Sequence, residues 1–143
     1  MGKVRNILQA KKAPLIFVKP ETTVFEALEL MLERNVGALL VMDQGKFLGI
    51  FTERDYARKV VLKGLSSKDV AVTEIMMDNP PIVSLDSSIE DCMWLMTNRF
   101  IRHLPVLENG ELLGIISIGD VVKYIIDEQK YIINNLEHYI TGI

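Results

Sequence analysis

The amino-acid sequence repeats itself, and this repeat constrains the fold more than any other feature. When the chain is shifted by 65 residues, Val18–Asp55 aligns with Val83–Asp120 without a gap. Eleven of the 38 aligned positions are identical, whereas chance would give roughly two or three. A short lead-in, Val4–Leu8, also resembles Val72–Met76. We therefore predict a duplicated unit with two similar halves.

Each copy shows the same order of patterns, which predicts β-α-β-β-α twice. A short extended stretch precedes a helix with apolar residues on one face, and two strands joined by a tight turn follow. Asn109-Gly110 is a strong hairpin signal. The extended stretches are Ile16–Val18 and Ile82–Val83, and the apolar helix positions are Val24, Ala27, Leu28, Met31 and Leu32, then Ile89, Cys92, Met93 and Met96.

One such unit buries too little surface to be stable alone. We therefore expect an α+β protein in which the two units pack about a pseudo-twofold axis, with an extended C-terminal helix. We place the first unit with its lead-in at residues 1–70 and the second unit with the C-terminal helix at 71–143. A twofold arrangement also creates two equivalent clefts between the units.

Composition narrows the class of protein. The net charge of −3 comes from interspersed charges, which disfavours nucleic-acid binding. The single cysteine, Cys92, excludes an intramolecular disulfide, and its place on an apolar stripe is typical of a small core residue rather than a nucleophile. We find no signal peptide, no membrane-spanning run and no metal-ligand spacing. We expect a soluble cytoplasmic protein with neither membrane insertion nor a required metal.

Two motifs follow the second hairpin strand of each copy, Thr52-x-x-Asp55 and Ser117-x-x-Asp120. The start of a helix presents unpaired backbone N–H groups, and a hydroxyl beside them adds a donor for a phosphate. A carboxylate one turn later can accept hydrogen bonds from ribose hydroxyls. The same spacing also describes a capping box, which merely starts a helix. Both interpretations can hold together.

The sequence around these motifs resembles the paired cystathionine β-synthase (CBS) domain, or Bateman module. The resemblance rests on Gly49–Asp55, on Gly114–Asp120 and on the string Arg102–Val106, and it covers Val4 to Val122. It implies a stand-alone regulatory protein that binds AMP, ADP or ATP, and in some relatives NAD(H). It implies no catalysis. A ligand would shift the populations of two packings, and an unidentified regulated protein would sense the change.

Three residues are candidate phosphate cations: Arg54, Arg102 and His103. The counterparts of Arg102 and His103 in the first copy are Gly37 and Ala38, so the two clefts differ chemically. The alternative is that the three residues form surface ion pairs.

The resemblance implies that these cations cross over between repeats. Arg102 and His103 would serve the Asp55 cleft, and Arg54 would serve the Asp120 cleft. The resemblance also places Thr22, Gly37, Ala38 and Ser87 near the adenine. Helix capping explains Thr22 and Ser87 equally well.

The C-terminal tail, residues 120–140, extends beyond the repeat and carries apolar residues at helical spacing with a near-heptad drift. We expect it to form a homodimer contact, and the alternative is that it folds back over its own module.

Two other functions remain open. A nucleotide-processing enzyme would need an acid or base near the phosphates, and His103 is the only candidate in the sequence. A ligand-free scaffold would have vestigial clefts, against which both aspartates argue.

Overall fold

The computed structural model describes residues 2–142 and contains two copies of the predicted unit. The predicted α+β fold with two repeats is confirmed, and the first half has the full β-α-β-β-α order. In the second half the extended stretch before α4 makes a single bridge at Val83 in place of a strand. The elements are α1 (Val4–Lys11), β1 (Phe17–Val18), α2 (Val24–Arg34), β2 (Ala38–Asp43), β3 (Lys46–Thr52), α3 (Glu53–Tyr56), β4 (Met77–Asp78), α4 (Ile89–Asn98), β5 (His103–Glu108), β6 (Glu111–Ser117) and α5 (Ile118–Thr141). A π-helical turn, Ala57–Val61, continues α3, and a 3-10 turn covers Val72–Glu74.

The two hairpins repeat one another in register. Ala38 pairs with Thr52 in the first hairpin, and His103 pairs with Ser117 in the second. Both hairpins contain an irregularity at the same place, after Val41 and after Val106. The duplication therefore extends to individual backbone pairs.

Both hairpin turns use the left-handed backbone region at two consecutive residues. Gln44 and Gly45 have φ of 50° and 78°, and Asn109 and Gly110 have φ of 51° and 79°. Two positive φ values match the twist of the flanking strands, which is why Asn-Gly favours such turns. The predicted hairpin turn at Asn109-Gly110 is confirmed.

The sheets extend differently from the two hairpins. β1 pairs in parallel with β2, and β4 pairs with the outer edge of β3, which gives a four-stranded sheet in the order β1-β2-β3-β4. The second half has the two strands β5 and β6, with a single parallel bridge from Val83 to Val106.

Each lead-in segment packs on the core of the opposite repeat. Val4 and Ile7 of α1 belong to the core of the second half, and Val72 and Ile75 belong to the core of the first. Backbone hydrogen bonds hold this exchange, because the amide of Val4 donates to Ser87 and the amide of Val72 donates to Thr22. The division of the chain at residue 70 stays a prediction about the sequence repeats, and the packing interlocks them.

The apolar helix faces are buried as predicted, except at one end of α2. Val24, Ala27 and Met31 are buried, but the side chain of Leu32 is 85% exposed. The prediction that Leu32 lies on the buried face is wrong. A step of one residue turns a helix by about 100°, so Leu32 lies beyond the edge of the narrow buried stripe. It lines an open cavity of about 500 Å³ together with Leu28 and Tyr56.

The C-terminal tail forms one continuous helix, α5, of 24 residues. Val121 is its one fully buried residue in the described part of the chain, and every residue from 129 to 142 is exposed. The alternative that the tail folds back over its own module is therefore wrong. Within residues 2–142, no helix combines the length and the apolar character needed to cross a membrane.

Candidate functional site

Asp55 lies at the start of α3 and is held by Thr52. The backbone N–H and the hydroxyl of Thr52 both donate to Oδ2 of Asp55, each at 3.0 Å, and the Asp55 amide donates to Oγ1 of Thr52 at 3.1 Å. The carboxylate is buried, with 7% of the residue exposed. The capping-box interpretation is thus confirmed here, and the second oxygen, Oδ1, lies outside the cap.

Asp120 takes the equivalent position at the start of α5. The Ser117 amide donates to Oδ2 of Asp120 at 2.8 Å, and the Asp120 amide donates to Oγ of Ser117 at 3.1 Å. This is again a capping box, and the cap holds the carboxylate at a defined place beside the strand end. Capping and ligand binding are compatible, because the cap leaves acceptor capacity on each carboxylate.

Each aspartate also meets a lysine that the sequence reasoning missed. Nζ of Lys11 lies 2.8 Å from Oδ2 of Asp120 and donates to the carbonyl oxygen of Ile115 at 2.9 Å. Nζ of Lys59 approaches Oδ1 of Asp55 only to 3.5 Å. The spacing of Lys59 four residues after Asp55 was a readable helical signal. Nothing in the sequence pairs Lys11 with a residue 109 positions away.

The charge environment keeps Asp120 ionised. Burial alone would raise the pKa of this carboxyl, but the hydrogen bonds from Lys11 and Ser117 and the charge of Lys11 outweigh burial, so the pKa lies below its ordinary value. Asp120 is therefore a negatively charged acceptor at neutral pH.

The two repeats meet where β2 and β5 begin. Cε1 of His103 lies 3.9 Å from the position that a Cβ on Gly37 would take, and Oε1 of Glu53 lies 3.4 Å from the same point. The Glu53 amide donates to the carbonyl of Gly37, and the Ile118 amide donates to the carbonyl of Arg102. Each of these equivalent bonds joins the start of a helix to the residue before the first hairpin strand of its own repeat. The contact at Gly37 places His103 of the second repeat beside the first, and the crossover of the phosphate cations stays a prediction.

His103 is not a cation at neutral pH. Burial lowers its pKa below the ordinary 6.5, and the neighbouring charges of Lys11 and Arg102 lower it further, against the opposing effect of Asp120. Without a ligand, the neutral ring of His103 offers one N–H donor and no charge, and its role as a phosphate contact stays a prediction.

The candidate cations make no ion pairs among residues 2–142, so the structure gives no support to the surface-ion-pair alternative. Arg102 is exposed. Nη1 of Arg54 donates to the carbonyl oxygen of Phe100 at 2.7 Å and so reaches the second repeat. The salt bridges in the described chain involve Lys3, Arg5, Lys11 and Lys59.

The predicted adenine-region residues are Thr22, Gly37, Ala38 and Ser87, and their contact with adenine stays a prediction. Ala38 is buried and the other three are half-buried. The capping alternative for Thr22 and Ser87 is wrong, because the helices begin one residue later and are capped by Thr23 and Ser88.

Cys92 is fully buried, and burial raises the pKa of its thiol to about 11. A thiol in this state is a poor nucleophile, which agrees with its predicted place in the core. In the part of the chain that the structure describes, no three His, Cys, Asp or Glu residues are grouped as metal ligands would be.

Comparisons with known proteins agree with this architecture. The family model described as the CBS domain matches twice, at residues 4–62 and 72–127. A CBS-domain protein of Burkholderia ambifaria MC40-6 has a solved structure with a TM-score of 0.86 and 46% identity, covering 90% of this chain and 96% of that one. The structure of CBSX2 in complex with AMP gives a TM-score of 0.74 at 30% identity and covers 90% of this chain and 99% of that one.

A curated relative, the CBS domain-containing protein CBSX3, mitochondrial, of Arabidopsis thaliana, is 38% identical over 127 residues, which is 85% of this chain. The chain spans 62% of the length of CBSX3 and 21% of the length of CBSCBSPB5 from the same plant. CBS-domain proteins are generally regulatory, and no catalytic family is indicated. With two repeats, two capped aspartates at matching positions and a family model that matches both halves, this chain belongs to the CBS-domain family as a tandem pair.

Proposed function

We propose that this protein is a regulatory module that binds adenine nucleotides in the two clefts marked by Asp55 and Asp120. The preferred ligands are AMP, ADP or ATP, with NAD(H) as a second class. The observation that carries this proposal is the matched pair of aspartates, each capped at the junction of a strand and a helix.

The carboxylates suit the ribose. A vicinal diol offers two O–H donors, and a carboxylate fixed by its own cap presents acceptors without further loss of side-chain freedom. The burial of Asp55 strengthens any hydrogen bond that it accepts, because the local dielectric is low. CBSX2, at 30% identity, was solved with AMP, which supports the choice of an adenine nucleotide.

The surroundings suit a phosphate at the border between repeats. Arg54 reaches from the first repeat to the backbone of the second. His103 begins β5 and lies beside Gly37 of the first repeat, and Arg102 directly precedes it. Arg54 and Arg102 supply positive charge, and neutral His103 supplies an N–H donor. A ligand spanning these groups and an aspartate would bridge the two repeats.

A ligand that bridges the two repeats can regulate the protein. A ligand that contacts both repeats favours one relative packing over another, and a regulated partner protein senses the difference. The exposed apolar face of α5 supports a homodimer as the unit that responds. The expected cytoplasmic location stays a prediction.

The decisive experiment is isothermal titration of the purified protein with AMP, NAD⁺ and GMP. We expect AMP to bind, and we expect the double variant Asp55→Asn/Asp120→Asn to lose that binding while it stays folded. Asparagine can still accept the cap hydrogen bond, so the fold is preserved. The matched control is Asp43→Asn, an exposed aspartate at the end of β2. Unchanged AMP affinity in the double variant would contradict the ribose assignment.

A further inference from the structure

The two aspartates accept hydrogen bonds from different groups, so the two repeats differ at this point of the site. In the first half, Oδ2 of Asp55 accepts from the amide and the hydroxyl of Thr52. In the second half, Oδ2 of Asp120 accepts from the amide of Ser117, and the ammonium of Lys11 takes the other place. At Oδ2, therefore, Asp55 accepts from a hydroxyl where Asp120 accepts from a charged side chain.

We propose that Lys11 is a built-in competitor of the ribose, which holds the Asp120 cleft closed and makes it the weaker of the two nucleotide sites. This inference rests on the proposed function, because it requires the ribose diol to bind the carboxylate of Asp120.

The acceptor capacity of Asp120 limits how a ribose can bind it. A carboxylate oxygen has two lone-pair positions, and both on Oδ2 of Asp120 are filled by the donors just named. A diol that uses both carboxylate oxygens must therefore displace a donor. At Asp55 the displaced group is a hydroxyl, which turns away by a single rotation. At Asp120 it is an ammonium, and its departure separates an ion pair.

The contact between Lys11 and Asp120 is stronger than the contact between Lys59 and Asp55. The side chains of Lys11 and Asp120 are only 27% and 24% exposed, and Nζ has a second acceptor in the carbonyl of Ile115. A partly buried pair with an extra hydrogen bond is stronger than an exposed pair. Lys59, the lysine that meets Asp55, also donates to a backbone carbonyl, that of Ile75 at 3.1 Å, but its side chain is 45% exposed and its Nζ lies 3.5 Å from Oδ1 of Asp55. It is therefore the weaker obstacle.

Lys11 is held in place by the helix that carries it. It occupies the last position of α1, a helix anchored by Val4 and Ile7 in the core of the second half. The neighbouring Leu8 packs over Gly114 of β6, with Cδ2 3.1 Å from the position that a Cβ there would take. A packed helix thus delivers the ammonium, so the contact does not depend on a mobile loop.

A second position for the ammonium lies close by. Lys11, Asp120 and Asp127 line one cavity of about 200 Å³. When a ligand takes Asp120, the ammonium of Lys11 can turn within this cavity toward the carboxylate of Asp127, which keeps its charge neutralised. Lys123 also lines the cavity and competes for the same carboxylate. The lysine therefore has two alternative acidic partners, one of which leaves the cleft open.

The test measures adenosine binding at the Asp120 cleft alone. Adenosine has the diol but no phosphate, so a loss of positive charge cannot weaken its binding through a phosphate contact. The background is Asp55→Asn, which silences the first cleft. In that background we compare Lys11→Met, which keeps the length of the side chain without its charge, with Lys12→Met. Lys12 is exposed and adjacent, and its replacement makes the same change in net charge.

We expect Lys11→Met to tighten adenosine binding about tenfold, the effect of removing one competing hydrogen bond to a charged group, and Lys12→Met to leave it unchanged. Equal or weaker binding in Lys11→Met overturns the inference, as does equal tightening in both variants. The single variant Asp120→Asn separates the two proposals. If Asp120→Asn binds AMP through Asp55 while Lys11→Met has no effect on adenosine binding, only the inference about Lys11 fails. If neither it nor the wild type binds AMP, the proposed function fails, and the inference fails with it.

Discussion

The guanidinium of Arg54 donates a 2.7 Å hydrogen bond to the carbonyl oxygen of Phe100, and this bond joins the start of α3 to the loop before β5. Phe100 has a φ of 53° and an exposed side chain, so the loop turns its carbonyl toward the first repeat. One donor of Arg54 is thus committed to a contact between repeats. The other guanidinium donors remain for a ligand.

This contact leads to a prediction that tests whether Arg54 binds the phosphate of AMP or only positions the loop before β5. Arg54→Ala should weaken AMP binding at the Asp120 cleft about tenfold, because a charge-assisted hydrogen bond to phosphate is lost. Adenosine binding there should change much less. Titrations of both ligands in the Asp55→Asn background measure the ratio. Arg58→Ala, which removes an exposed arginine from the π-helical turn, is the control. An equal loss for AMP and adenosine would mean that Arg54 only positions the loop.

The paired glycines of the two hairpins give a second prediction, on stability. A Cβ at Gly49 would lie 2.5 Å from the carbonyl oxygen of Met77. The backbone of β4 cannot move away from it without breaking the pairing of β4 with β3. A Cβ at Gly114 would meet Cδ2 of Leu8 at 3.1 Å, and that side chain can rotate. We expect Gly49→Ala to cost about 3 kcal/mol of unfolding free energy and Gly114→Ala less than about 1 kcal/mol.

Urea unfolding followed by circular dichroism measures both variants. Because the two glycines are equivalent in the repeat, each variant is the control for the other. Similar losses in both would show that β4 does not restrict Gly49 as the contact indicates.

The fold was largely predictable because its determinants are local. Turn residues such as Asn109-Gly110 set the hairpins, and the apolar spacing in α2 and α4 set the buried faces. The lead-ins were less predictable although their sequences are alike. α1 is a helix, whereas the segment after Val72 forms a 3-10 turn and then β4. Pro80 disfavours helix at Asn79, and Met77 and Asp78 pair with the edge of β3 in place of a further helical turn.

The sequence allowed the two carboxylates of the candidate site to be predicted, but it did not allow the side chains that contact them to be predicted. The motifs that end in Asp55 and Asp120 are contiguous in sequence, so their caps could be recognised. The pairing of Lys11 with Asp120 depends on the exchange of lead-ins, which no local pattern encodes. The burial of His103 is likewise a tertiary effect, and it changes the expected charge of the site.

A third prediction concerns pH and follows from His103. Its pKa is below 6.5 in the folded protein, so at pH values between the folded pKa and about 6.5 the unfolded chain binds more protons than the folded one. Stability should therefore fall as the pH drops below about 6.5. Replacement of this residue in His103→Gln should flatten the dependence, because glutamine does not titrate.

Thermal unfolding between pH 5 and pH 7.5 tests this. Asp120 does not interfere, since its pKa lies below 3.8 and the carboxyl stays ionised throughout. The control is His138→Gln, because His138 is exposed on α5. The expectation is wrong if the wild type and His103→Gln lose stability in parallel as the pH falls.

The last prediction concerns the exposed half of α5. Ile126, Ile133 and Ile140 recur every seven residues, and Ile132 and Leu136 lie on the same face. This broad apolar stripe matches a helix that packs against another helix, and the chain beyond Glu128 makes no part of either core. Removal of residues 129–143 should therefore convert a dimer into a monomer. The melting temperature of the monomer, measured at low protein concentration, should be unchanged.

Sedimentation equilibrium over a range of concentrations measures the mass of each form. Leu136→Lys places a charge on the stripe and should also give a monomer, whereas Asn134→Lys adds the same charge to the opposite face and should leave the dimer intact. If the shortened chain is still dimeric, the contact between subunits lies on the repeats rather than on α5. If the full chain is monomeric at every concentration, the apolar stripe has another partner, and regulation by ligand would have to act within a single module.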